Sequence, residues 1–142
     1  MEIRPGRNIR VMAFGSFDGM HPVHDFYLSS AKKLGDELIV IVARDKTIRT
    51  VKHHEAAIPE TKRLALVQQH HAVDSAYLGE KYDYFSVLTR FSPDILALGY
   101  DQQTFSRDLS EELAKRRLRA KIVRLPAFMP AKYKSSKLRN NL

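Results

Sequence analysis

The chain alternates short apolar runs with segments of helical periodicity along its length, and that alternation limits its architecture more than any other feature. Residues 9–14 form an apolar run that stops at Gly15, the pattern of a strand. Residues 25–34 place Tyr27, Leu28, Ala31 and Leu34 at helical spacing, and Gly35 supplies a C-terminal stop. Residues 38–43 are apolar throughout, as in a strand covered on both faces of a parallel sheet. Pro59 suits the first turn of a helix running to about residue 69, with Leu64 and Val67 turned inward. Further strands are predicted at 75–78, 94–98 and 121–125, helices near 84–90 and 109–119, and a brief terminal helix at 135–142. Asp108 followed by Glu111 reads as a capping box for the 109–119 helix. This order predicts one α/β domain over residues 1–142, a doubly wound, five-stranded parallel sheet with helices on both faces. Ligands of such sheets gather at the carboxyl ends of the strands, where the strand order reverses. The loops after Phe14, Ala43, Leu98 and Leu125 are therefore the places to search.

The first of these loops reads Gly15-Ser16-Phe17-Asp18-Gly19-Met20-His21-Pro22-Val23-His24. It joins a strand to a helix, so backbone N–H groups and a helix N-terminus face whatever binds there, which favours an anion such as a triphosphate. His21 and His24 add donors that can bridge phosphate oxygens and stabilise charge developing at phosphorus. A protein-held metal is not expected, because this spacing lacks the i, i+4 histidine pair and carboxylate of a zinc helix. Asp18 reads as a loop-structuring side chain, and Asp45 as either strand-end structure or part of a site.

The loop resembles the G-x-F-D-x-x-H-x-G-H signature of the cytidylyltransferase-like branch of the HIGH-motif nucleotidyltransferases. Four further stretches are similar, in order and spacing, to the archaeal-type FAD synthase family. They are Val42-Ala43-Arg44-Asp45, Ile58-Pro59-Glu60 with Arg63, Val73-Asp74 with Leu78-Gly79, and Pro93-Asp94 through Leu98-Gly99-Tyr100-Asp101-Gln102. The likeness covers residues 9–138. It implies a Rossmann-like fold of the HIGH-motif superfamily and a nucleotidyltransferase releasing pyrophosphate, with ATP and FMN giving FAD. The alternative within the superfamily is CTP with glycerol 3-phosphate or a similar phospho-alcohol. The resemblance further implies that Ser16, Phe17, Pro22 and Val23 contact the nucleotide and that His21 and His24 hold its phosphates and the transition state. Asp101 would touch the nucleoside, and Tyr133, Ser135 and Ser136 match a late loop that closes over phosphates. Lys52 and Arg63 are candidate cations for the acceptor phosphate or the triphosphate. Mg²⁺ would arrive with the nucleotide, and a homodimer is implied.

One position departs from the signature: Val23 stands where the family has glycine. A branched Cβ is stiff and suits φ > 0 poorly. Two consequences stay open, an ordinary φ with a shifted nucleotide pose, or a weakened nucleotide-binding module.

Composition narrows the alternatives. No cysteine is present among the 142 residues, which excludes disulfides, thiolate metal sites and thiol catalysis. The longest strongly apolar run, 38–43, is far too short to cross a bilayer, and the first residues show no signal pattern, so a cytoplasmic enzyme is expected. A net charge of +8 favours anionic ligands. Without a recognisable nucleic-acid module, RNA or DNA ranks last among them, and residues 115–119 read as a solvated helix face. The doublets His53-His54 and His70-His71 read as surface residues. Tyr82, Tyr84 and Phe85 read as packing residues, with stacking on a flavin ring as the functional alternative.

Overall fold

The computed structural model describes residues 8–19, 21–99 and 102–128. In chain order the elements are β1 (Arg10–Gly15), α1 (Pro22–Lys32), β2 (Glu37–Val42), α2 (Asp45–Lys52), α3 (Glu60–Gln68), β3 (Ser75–Leu78), α4 (Ser86–Phe91), β4 (Ile95–Leu98), α5 (Gln103–Lys115) and β5 (Lys121–Arg124). The strands form one sheet in the order β3-β2-β1-β4-β5, every neighbouring pair parallel. This is the expected doubly wound topology, and its strand order reverses between β1 and β4.

Alternation along β1 shows why both faces are buried. Val11 and Ala13 join a cluster with Leu28 and Ala31 of α1 and Val67 of α3. Met12 and Phe14 point the other way, into a cluster with Val87 and Leu88 of α4 and Leu109 and Leu113 of α5. Leu64 packs against the first cluster, as its spacing predicts.

Three aspartates just before strands close the amino-terminal rim. Asp36 Oδ2 accepts the Ile9 N–H at 2.7 Å, Asp74 Oδ2 accepts the Leu38 N–H at 2.7 Å, and Asp94 Oδ2 accepts the Arg10 N–H at 2.9 Å. Each carboxylate thus satisfies a donor on the adjoining chain segment. Asp74 and Asp94, which the sequence resemblance includes, belong to this rim, opposite the end where ligands collect.

Gly35 turns the chain from α1 into β2 under the same rim. A Cβ there would lie 2.7 Å from the Ile9 carbonyl oxygen and 2.8 Å from Val11 Cγ2. That carbonyl already accepts the N–H groups of Asp36 and Glu37, so it cannot retreat. Gly35→Ala is expected to destabilise the protein by about 1–3 kcal/mol, read as a shifted midpoint in urea unfolding at unchanged m-value.

The structure corrects three sequence expectations. α1 begins at Pro22 rather than at residue 25, because proline is well placed in a first helical turn. α5 begins at Gln103, so Asp108 and Glu111 are exposed in mid-helix and form no capping box. α2 was not expected; it is one short amphipathic turn pair with Ile48 buried. The predicted helix at 135–142 lies outside the described residues.

Candidate functional site

The loop after β1 is shaped by its aromatic residue. Phe17 takes φ +53° and tucks its ring into the core beneath the strand end. Gly15 makes room, since a Cβ there would meet the Phe17 ring at 2.7 Å. Gly19, at φ +102°, turns the chain back and donates its N–H to the Phe17 carbonyl at 2.9 Å. Among the described residues no acceptor is found for the Ser16 and Phe17 N–H groups. Two backbone donors at a strand end are what an anion requires.

His21 precedes α1, and its carbonyl accepts the N–H groups of His24 and Asp25 at 2.9 and 3.1 Å. His24 reaches back, its Nδ1 accepting the His21 N–H at 3.2 Å. Nδ1 is therefore unprotonated in the neutral ring, and Nε2 carries the hydrogen. The two imidazoles lie 5.4 Å apart, centroid to centroid, and Phe17 meets His24 edge-on at 5.4 Å. Burial pushes the His24 pKa down, the nearby His21 and Lys52 push the same way, and a hydrogen bond with the Gly19 backbone opposes them. His24 thus stands ready as a neutral N–H donor, in a place where an incoming phosphate would favour its protonated form.

Val23 occupies the first turn of α1 and is 43 % exposed. It is absent from the positive-φ residues, so its branched side chain sits on ordinary backbone. Pro22 is likewise exposed beside it.

Lys52, at the end of α2, places Nζ 3.1 Å from Ser16 Oγ, so this expected cation does stand over the loop. Arg63, the other expected cation, lies buried behind the loop rather than over it. Its side chain is 0 % exposed. Nε donates to the Ile58 carbonyl at 2.8 Å, Nη1 to the carbonyls of Ser16 and Ala43 at 2.7 Å each, and Nη2 to Asp45 Oδ1 at 2.7 Å. A planar fork with five fixed donors is suited to fastening three backbone segments at once. Burial is tolerated because each of its nitrogens is engaged. The question left open for Asp45 is resolved towards strand-end structure, since the Arg63 hydrogen bond is the main cause holding its pKa below the usual range.

Asp18 completes the fastening, as its sequence reading predicts. Its two carboxylate oxygens accept the N–H groups of Ala57 and Ile58, both at 2.8 Å. The Ala57 bond is the main cause depressing its pKa below the ordinary 3.8. A depressed value means a stabilising contribution that is complete above the unfolded pKa and lost as pH falls through the folded one. Asp18→Asn is therefore expected to lower stability by about 1 kcal/mol near neutrality. That difference should shrink as pH falls from 3.8 towards the depressed value, as followed by denaturation at stepped pH.

The carboxyl rim has two more features. The Tyr27 hydroxyl accepts the Phe14 N–H at 3.1 Å and donates to the Ala97 carbonyl at 2.6 Å, between β1 and β4. After β4, Gln102 Oε1 accepts the Gly99 N–H at 2.8 Å. Asp101, Tyr133, Ser135 and Ser136 lie outside the described residues.

The surface doublets divide. His70 Nε2 lies 2.7 Å from Asp25 Oδ1, and its Nδ1 accepts the Ala72 N–H at 3.1 Å. Asp25, His70 and His71 come close enough together to suggest a metal site. However, the Ala72 bond places the neutral ring's hydrogen on Nε2, so His70 is a structural tie to α1. The basic run at 115–119 is partly spent within the fold: Lys115 meets Glu112 at 3.5 Å, and Arg116 meets Asp83 at 3.2 Å and Glu112 at 3.4 Å. Tyr82 is not a packing residue, being 93 % exposed. No helix among the described residues is long and apolar enough to cross a membrane.

Comparison with known proteins adds four likenesses. Residues 12–141 match the family model described as cytidylyltransferase-like. The chain is 47 % identical over 128 residues to the FAD synthase of Archaeoglobus profundus, covering 90 % of this chain and 81 % of that one. It is 48 % identical over 117 residues to the FAD synthase of Methanosarcina mazei, covering 82 % and 76 % respectively. Among solved structures, a Thermoplasma volcanium protein described as a lipopolysaccharide core biosynthesis protein superposes with a TM-score of 0.80 at 42 % identity, covering 86 % of this chain and 99 % of that one.

Proposed function

The chain belongs to the cytidylyltransferase-like family, and from that premise we infer that it is an FAD synthase, transferring the adenylyl group of ATP to FMN and releasing pyrophosphate. The observation that carries the choice of substrates is near-half identity to FAD synthases over most of both chains. In this reading residues 1–142 act as one catalytic domain.

The geometry supports a specific division of labour. The Ser16 and Phe17 N–H groups and the start of α1 receive the triphosphate of ATP. An FMN phosphate oxygen attacks the α-phosphorus, the bond to the bridging oxygen breaks, and pyrophosphate leaves. His21 and His24 donate to the phosphate oxygens as charge develops on them, and Lys52 neutralises the leaving side. Pro22 and Val23 flank the nucleotide on the first turn of α1, and Asp101, Tyr133, Ser135 and Ser136 keep the roles implied by the resemblance. Asp18, the carboxylate within the loop, is committed to two N–H groups. Mg²⁺ in this scheme is therefore held by phosphate oxygens and water rather than by the loop. A homodimer in a cytoplasmic setting belongs to the same reading, and light scattering of the purified protein checks the former.

Purified protein incubated with ATP and FMN should form FAD with matching pyrophosphate release, whereas CTP with glycerol 3-phosphate should not. Release only in the second mixture, or in neither, sinks the reading. The position of Val23 in ordinary helical backbone argues against a lesion there. Val23→Gly is expected to change FAD formation by less than about threefold while loosening α1 by about 0.5 kcal/mol. A rate restored from near zero would show that valine disables the site.

A further inference from the structure

The rim carries a second concavity that the motif chemistry does not use. A cleft of about 540 Å³ opens between the first turns of α2 and α3 and the segment after β3. Its walls bring together Arg44, Lys46, Arg49 and Lys81, with Tyr82 at the mouth. The two carboxylates there are already engaged: Asp45 holds Arg63, and Glu60 accepts the Asp45 N–H at 2.7 Å and faces Arg44 at 3.6 Å. Among the described residues Lys46 and Lys81 have no ion-pair or hydrogen-bond partner. Lys46, Lys81 and the Tyr82 ring, 93 % exposed, are thus left available to a ligand in the cleft.

We propose that this cleft receives the flavin ring of the acceptor, with Tyr82 stacking on the ring and Lys46 and Lys81 facing its electron-rich carbonyl edge. The proposal rests on the FAD synthase reading and adds to it the half of the acceptor that does not react. Three observations carry it. The cleft lies over the carboxyl ends of β2 and β3, the next strands out from the reactive loop on β1. At about 5 Å between neighbouring strands, it is roughly 5–10 Å along the rim from that loop, an interval that a ribityl chain spans. Cleft and loop also share a wall, because Asp45 lines the cleft and holds Arg63, which holds the Ser16 carbonyl. Finally, the cleft is on the opposite side of β1 from β4, so a flavin held there leaves the crevice between β1 and β4 free for the nucleoside.

The test compares wild type with Tyr82→Ala, Tyr82→Phe and the double variant Lys46→Glu/Lys81→Glu, all on the surface. FMN and riboflavin binding are read by quenching of flavin fluorescence, and KM is measured separately for FMN and ATP. Tyr82→Ala and the double variant should each raise KM for FMN about tenfold with KM for ATP held, and both should lose the riboflavin quench. Tyr82→Phe should keep both, since a phenyl ring still stacks. A wild type that forms FAD, with KM for FMN and the riboflavin quench unmoved in both variants, overturns the cleft assignment and leaves the function standing. A wild type that binds flavin through Tyr82 but forms no FAD overturns the function while supporting the cleft.

Discussion

His24→Ala is expected to lower kcat for FAD formation by about 10²–10³ while KM for ATP changes little. The reasoning starts from geometry. His24 is anchored on three sides, by the His21 N–H on Nδ1, by the Phe17 ring and by its place in α1. Its Nε2–H, which the Gly19 backbone engages in the free protein, is the donor left to turn to a phosphate. A fixed donor gains most where phosphate charge changes most, which is the transition state rather than the bound substrate. Steady-state kinetics on a variant with an unaltered melting curve reads this directly. An undiminished rate would remove the imidazole from the chemistry. His24→Asn, which retains an N–H donor, should recover part of the loss.

Arg63→Ala is expected to have the largest effect on the fold. It would leave the carbonyls of Ser16, Ala43 and Ile58 without their buried donor and Asp45 without its partner. Removing one member of a buried charged network costs about 3–5 kcal/mol, on the order of 10 °C in Tm for a chain of this size. Activity should fall as well, because the Ser16 carbonyl fixes the loop carrying the two unpaired N–H groups. Arg63→Lys should rescue little: one ammonium cannot reach acceptors spread over three segments. Calorimetry with FAD-formation assays below the variant's Tm separates the two consequences. A variant that melts within a degree or two of wild type would show that the fork contributes little.

Much of this molecule is visible in its residue order, for definite reasons. Strands buried on both faces are continuous apolar runs, so the segments containing Val11 and Leu38 stand out, and the five-strand topology follows from their alternation with helices. The loop to which we assign the chemistry is equally legible, because its position after the first strand and its pair of histidines stand out in the sequence itself. α2 is not legible, because a helix of eight residues with a single buried side chain, Ile48, has too short a pattern to register. The start of α5 was placed late because Asp108 and Glu111 have capping spacing, which exposed acidic residues on a helix also show. The burial of Arg63 is not legible, because arginine is rarely buried and only the convergence of three carbonyls makes its burial favourable. Such convergence is a property of the folded chain and leaves no local trace. The same holds for Tyr82, whose neighbours Tyr84 and Phe85 make it look like one of a packed set.

The Tyr27 hydroxyl has a consequence for how β1 and β4 meet at the carboxyl rim. The β1–β4 register runs as far as Ala13 opposite Ala97, and beyond it the hydroxyl bridges the Phe14 N–H and the Ala97 carbonyl. A side chain from α1 thus takes the place of the next rung between the two strands. The hydroxyl is held in that place by the Phe17 ring, stacked against Tyr27 at 6.4 Å. The spacing of the two strands at the carboxyl rim is thus set by the helix that carries His24.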